Sequence, residues 1–98
     1  MQYDVIHTAD GVPRDQLAAA TGKFRLVLES RLGDSARFMT CFLANAKRTR
    51  DGQAALTSQE VIDADAYLEA SLAAESAAKQ VLNRQDVGFT VRLSPPNH

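Results

Sequence analysis

The hydrophobic and polar positions near both ends of the chain predict a β-strand at each end. The segment from Tyr3 to Thr8 is rich in β-branched and aromatic residues and stops before the turn dipeptide Asp10-Gly11. Between residues 87 and 94 apolar side chains occupy every second position, and Pro95-Pro96 ends the segment. Because a strand is not stable alone, the simplest arrangement pairs these two strands with each other, and the alternative is a sheet completed by strands from the middle of the chain.

The clearest helical pattern runs from Thr57 to about Asn83. Its first residues, Thr57-Ser58-Gln59-Glu60, match a capping box and precede the apolar pair Val61-Ile62. The expected apolar stripe comprises Val61, Ala64, Leu68, Leu72 and Leu82, and the surrounding alanines are Ala66, Ala70, Ala73, Ala74, Ala77 and Ala78. So many small side chains predict that a neighbouring element approaches this helix closely.

The region between residues 13 and 52 fits two patterns. In the helical pattern, Pro13 begins a helix whose apolar positions repeat every 3.6 residues to residue 32, and Asp34 or Ser35 caps a second helix that ends near residue 50. In the strand pattern, residues 24–32 and 36–44 form two strands joined by a tight turn. A strand at 24–30 followed by a helix at 35–50 is a third arrangement.

These patterns decide the fold class, which is α+β in every case. The helical pattern gives β-α-α-α-β, and the strand pattern gives the ferredoxin-like order β-α-β-β-α-β. The first leaves Leu26 facing water, whereas the second leaves both faces of 36–44 largely apolar and the end signals at Asp34 and Gly52 unused. We therefore expect β-α-α-α-β, with the ferredoxin-like order as the alternative.

Composition bounds the architecture further. A chain of 98 residues, 45% hydrophobic and 23% charged, fits one small domain, here residues 1–94, followed by a disordered tail at 95–98. It lacks an uncharged apolar run long enough for a membrane span and a basic secretory start, and its single cysteine excludes an internal disulfide. We expect a cytoplasmic protein, and no resemblance is specific enough to name a family.

Charge is unevenly distributed along the chain. Residues 11–50 carry eight basic and three acidic side chains, a balance of +5, whereas residues 51–82 carry six acidic and one basic, a balance of −5. One interpretation is that the two halves attract each other within the fold or across a dimer. The other is that the basic half forms a surface for nucleic acid or for an acidic partner.

Cys41 is a candidate nucleophile by composition alone. The neighbouring basic residues Arg37 and Lys47 are of the kind that favours a reactive thiolate. However, the thiol lies between the apolar pairs Phe38-Met39 and Phe42-Leu43. We therefore expect Cys41 to be a small buried hydrophobic residue.

The remaining polar groups form no catalytic pattern. His7 has no partner at a fixed spacing, which favours a structural role. Glu60, Asp63 and Asp65, together with Asp51, lack the calcium-loop pattern, and acidic residues suit a helix N-terminus for its dipole alone. Because phosphate loops and nucleophile elbows are also missing, we expect neither an enzyme nor a cofactor or metal site.

The leading hypothesis is therefore a non-enzymatic protein-protein interaction module, a homodimer that docks onto a larger protein as a regulator, adaptor or inhibitor. A helix of about 26 residues spans close to 40 Å, which favours contact with a second copy or another protein. The predicted partner-binding residues are Arg37, Lys47, Arg48, Arg50, Glu60, Asp63 and Glu69. One alternative is a nucleic-acid-binding regulator that uses the basic segment 37–50, and another is a ligand-binding or enzymatic ferredoxin-like dimer with a pocket near His7.

Overall fold

The computed structural model describes residues 3–8, 10–51 and 56–93, and the predicted tail at 95–98 and the end signal at Gly52 lie outside them. The elements in chain order are β1 (Tyr3–His7), α1 (Arg14–Leu32), α2 (Ser35–Asp51), α3 (Ser58–Leu82) and β2 (Phe89–Leu93). This order confirms the predicted β-α-α-α-β fold. The ferredoxin-like and mixed alternatives are wrong, because residues 24–32 and 36–44 are helical. None of the helices in the described ranges has the length and hydropathy that a bilayer crossing requires.

Local sequence signals account for the helix ends. Gly33 ends α1 with a φ of 80° and donates its N–H to the Glu29 carbonyl at 2.9 Å. Asp34 begins α2, since its carboxylate accepts the Arg37 N–H at 2.9 Å. At the start of α3, Thr57 and Glu60 form the predicted capping box, with reciprocal hydrogen bonds of 3.1 and 3.3 Å.

The two terminal strands form an antiparallel two-stranded sheet, as predicted. Val5 lies opposite Val91 in the register, and the Thr8 N–H donates to the Gly88 carbonyl at 3.0 Å. One face of the sheet covers the helices, with the Tyr3 ring stacked 4.9 Å from Phe38 on α2. Packing against a helical layer therefore stabilises a sheet that would be marginal by itself.

α3 lies between the other two helices, packing against α1 and α2, which make few contacts with each other. Its buried face is mostly alanine, with Ala70, Ala74 and Ala78 between 0% and 2% exposed. Small side chains let α1 approach closely, which confirms the expected use of alanine. Large side chains that fill the space around α3 come from the other elements, including Phe24, Leu28, Leu32 and Phe38.

The predicted apolar stripe of α3 is partly wrong. Ala64 and Leu82 are buried, but Val61, Leu68 and Leu72 are 37%, 49% and 58% exposed. The physical reason is that α3 is flanked on two sides, so that its alanines face the neighbouring helices and its larger residues are turned outward. The three exposed members, Val61, Leu68 and Leu72, share one helix face. From here on, the name α3 apolar stripe means these three residues only.

Candidate functional site

The oppositely charged halves of the chain meet in ion pairs between helices. The Arg48 guanidinium on α2 lies 2.7 Å from the Asp65 carboxylate on α3, and the Lys47 ammonium lies 3.9 Å from Glu60. Arg31 on α1 lies 3.8 Å from Glu69 on α3. Much of the charge segregation in the sequence is therefore accounted for by attraction inside one chain.

These ion pairs are partly exposed, and each contributes little to stability on its own. The pKa of Glu60 is held below its usual value by the Thr57 backbone N–H and hydroxyl, with a smaller contribution from Lys47. The ionised form of Glu60 is therefore favoured opposite the Lys47 ammonium.

The other predicted partner-binding residues are dispersed. Arg37 and Glu69 line a surface hollow of about 240 Å³ between the helices, and Asp63 accepts a hydrogen bond of 3.0 Å from Gln59. Arg50 lines a different and larger groove beside β2. Arg50 thus lies in a different place from Arg37 and Glu69, and the role of the seven predicted residues in partner binding stays a prediction.

Cys41 and His7 differ sharply in their surroundings. Cys41 is completely buried, and this burial raises the pKa of its thiol, with a further rise from Asp63 that Arg37 partly opposes. His7 is exposed at the end of β1, in a shallow groove along α1, and the described residues that line this groove include Arg14 and Arg25 but no carboxylate. Because the Cys41 thiol is buried and its pKa is raised, Cys41 is a poor nucleophile.

In the described ranges no cluster of three or more potential metal ligands is found.

The feature that sequence reasoning missed is a groove of about 450 Å³ bounded by α2, α3 and β2. Its apolar lining residues are Phe42, Ala46, Tyr67, Leu72, Phe89 and Val91, and its polar lining residues are Asn45, Thr49, Arg50, Ser71, Glu75 and Thr90. We call this site the β2 groove. Its size lies within the range of pockets that hold ligands in proteins.

An aromatic cluster forms the base of the β2 groove. Phe42 and Tyr67 meet edge to face with centroids 5.3 Å apart, and Phe38 stacks behind Phe42 at 6.3 Å. Burial raises the pKa of Tyr67 to about 12. The base is therefore rigid, apolar and uncharged at neutral pH.

Exposed apolar side chains continue from the β2 groove to Leu68 on α3, and Val61 lies on the same face beyond the exposed Asp65. Leu72 lines the groove while 58% exposed, Leu68 lies one turn earlier on the same face, and Val61 lies two turns before Leu68. No sequence signal marks the groove as a site, because its lining residues come from three elements separated along the chain. Only their exposure in the fold distinguishes these leucines from core residues.

Comparison of the chain with protein-family models, with curated proteins and with solved structures finds no match. Function is therefore inferred from the chain's own geometry. The β2 groove and the α3 apolar stripe are contiguous through Leu72, which belongs to both. Together they form the candidate functional site.

Proposed function

We propose that this chain is a non-enzymatic protein-binding module, which docks onto a larger protein through the β2 groove and the α3 apolar stripe. The observation that supports this most strongly is Leu72, a large apolar side chain that is 58% exposed at the mouth of an aromatic-based groove. Contiguous exposed apolar surface with a polar border is typical of protein interaction sites.

The composition of the site fits a protein partner better than a nucleic acid. Its centre presents the rings of Phe42 and Tyr67, and its border presents amide, hydroxyl and both signs of charge, as at Asn45, Arg50 and Glu75. Protein interfaces share this division between an apolar centre and a polar border. A nucleic-acid surface requires an excess of basic groups, and two of the basic residues on α2 are already paired with carboxylates.

The homodimer predicted from the sequence remains a prediction, but the charge segregation and the helix length that favoured it are both accounted for within one chain. The charge segregation needs no second copy, because ion pairs join the helices among the described residues of one chain. The length of α3 does not require one either, since buried residues recur along it from Ala64 to Leu82. The α3 apolar stripe is the surface through which a second copy would associate, and light scattering after size exclusion measures whether it does.

The binding site is tested by capture experiments with two matched leucine variants. Leu72 in the β2 groove and Leu26 on α1 are 58% and 62% exposed, and both lie inside helices. The unmodified protein, Leu72→Glu and Leu26→Glu are immobilised, and proteins captured from a cell lysate are quantified by mass spectrometry. We expect a protein partner that binds the unmodified chain and Leu26→Glu, with roughly tenfold weaker capture by Leu72→Glu.

Three outcomes contradict the proposal. They are equal capture by all three proteins, capture of no protein, and capture of nucleic acid that weakens steeply with salt. The third outcome instead supports the alternative that relies on Lys47, Arg48 and Arg50, and it is checked by changing these three residues to alanine. Circular dichroism of both leucine variants verifies that the substitutions preserve the helices.

A further inference from the structure

The hydrogen-bonding pattern of the sheet determines which backbone groups point outward. Residue pairs in an antiparallel ladder alternate between pairs that exchange hydrogen bonds and pairs that do not. Thr8 donates to Gly88, so the pairs in phase with it, Ile6 with Thr90 and Asp4 with Arg92, are the bonded ones. The backbone groups of Val5 and Val91 therefore point away from the partner strand, toward the two open edges of the sheet.

Side chains from the helices form hydrogen bonds with some of the outward backbone groups on each edge, in agreement with this pattern. The Arg25 guanidinium donates to the Tyr3 carbonyl on the β1 edge at 3.0 Å and lies 4.6 Å from the Tyr3 ring. The Glu75 carboxylate on α3 accepts the Phe89 N–H on the β2 edge at 3.0 Å. No hydrogen bond to the outward N–H or carbonyl of Val91 is found within the described ranges.

The unoccupied part of the β2 edge faces the β2 groove. Phe89, Thr90 and Val91 line the groove on one side, and residues of α2 and α3 line it on the other. Since Glu75 reaches the edge from α3, the groove runs alongside the strand rather than over its outer face. A backbone donor and acceptor at Val91 are thus placed next to an apolar groove.

We propose that the β2 groove binds an extended peptide segment of a partner protein, which adds a third strand along the free edge of β2 at Val91. This inference rests on the proposed function and specifies its binding mode. Outward backbone groups recognise another backbone, and the groove receives alternate side chains of the added strand. The aromatic base selects apolar side chains at those alternate positions.

The geometry favours an extended peptide over a second folded copy at this edge. In a continuous antiparallel sheet made through β2 of two copies, the helices of both copies lie on the same face. The added strand lies only about 4.8 Å from β2, whereas a helix is roughly 10 Å across. Because α2 and α3 already form the far side of the groove, the helices of a second copy would occupy the same space.

Two proline variants test strand addition. Val91→Pro removes the outward N–H on the β2 edge without removing a bond between the strands, and Val5→Pro does the same on the β1 edge at the opposing position. A phage-displayed library of short random peptides is selected against the unmodified protein, and the affinities of enriched synthetic peptides are measured. We expect alternating apolar positions and roughly tenfold weaker binding to Val91→Pro, with unchanged binding to Val5→Pro.

A measurement on the unmodified chain keeps the test valid if a proline variant unfolds. Hydrogen exchange followed by NMR should show slower exchange of the Val91 amide when an enriched peptide is added, with no slowing at Val5. Strand addition is overturned if no peptide is enriched, or if enriched peptides bind Val91→Pro as tightly as the unmodified protein. It is also overturned if exchange slows at Val5 alone, or if Val91→Pro loses self-association. If Leu72→Glu abolishes partner capture but Val91→Pro does not, the module binds proteins by another mode.

Discussion

Replacing Tyr67 with phenylalanine tests the burial of the aromatic base of the β2 groove. The change removes one hydroxyl and keeps the ring, which contacts Phe38 and Phe42 at centroid distances of 6.1 and 5.3 Å. Burial raises the pKa of Tyr67 from 10.0 to about 12, because the phenolate is poorly solvated at this position. The variant therefore has its main effect only at high pH.

The direction and size of the effect follow from this pKa. An unfolded chain ionises its tyrosines near pH 10, whereas folded Tyr67 keeps its proton to about pH 12. Between these values the folded state binds more protons than the unfolded state, so the free energy of unfolding falls as the pH rises. Two pKa units correspond to about 2.7 kcal/mol as an upper limit, and because Tyr67 is only partly shielded where it lines the groove, we expect a loss of about 1–2 kcal/mol.

The assay is urea denaturation followed by circular dichroism, at neutral pH and at the alkaline end of this window. At neutral pH we expect the free energy of unfolding of Tyr67→Phe to lie within about 0.5 kcal/mol of that of the unmodified protein. On going to high pH it should fall by about 1–2 kcal/mol less than that of the unmodified protein. Tyr3→Phe is the control, because the Tyr3 hydroxyl donates to Glu29 at 2.8 Å and its pKa is also raised to about 12. Because Tyr3→Phe removes this hydrogen bond, its free energy of unfolding should be about 1 kcal/mol lower than that of the unmodified protein already at neutral pH. Equal alkaline losses in Tyr67→Phe and the unmodified protein would refute the reasoning.

Two further predictions concern the core. Ala74 is fully buried on α3 whereas Ala19 is exposed on α1, so Ala74→Leu should lower the free energy of unfolding by about 1–3 kcal/mol and Ala19→Leu should change it little. Thermal denaturation measures both, and equal melting temperatures would contradict close packing of α1 on α3. The Cys41 thiol should react with a thiol reagent only as fast as the chain unfolds, because it is 0% exposed and its pKa is raised. Reaction at the rate of a free thiol would contradict its burial.

Helix boundaries were predictable because their causes are local. The capping box at Thr57 and the glycine at position 33 act on backbone groups a few residues away, and both are found where the sequence placed them. The first strand was predictable from its β-branched and aromatic residues and the second from alternation. Their mutual pairing followed from the favoured helical pattern, which leaves no other strand. Exposure of Leu26, at 62%, was also foreseen as the consequence of a helical 14–32 segment.

The orientation of α3 was not predictable in the same way. A leucine on a helix usually faces the core, and the sequence pattern therefore placed Leu68 and Leu72 inside. In the structure the alanine face is buried, since two neighbouring helices approach α3 closely and the remaining volume is filled by residues such as Phe24 and Phe38. Which face of a helix is buried depends on what surrounds it, and that information is not local.

The sequence by itself determined the capping signals of the helices, the terminal strands and the role of Cys41 as a buried apolar residue, because each depends on neighbours within a few residues. It favoured the order β-α-α-α-β but left strands at residues 24–32 and 36–44 open, and the structure decided for helices there. Only the tertiary structure decided the partners of the charged residues and the existence of the β2 groove. Arg48 and Asp65 are 17 residues apart, and the β2 groove is lined by residues as distant in sequence as Phe42 and Val91. Such sites arise from the relative placement of helices and strands, which is set by packing of the whole chain.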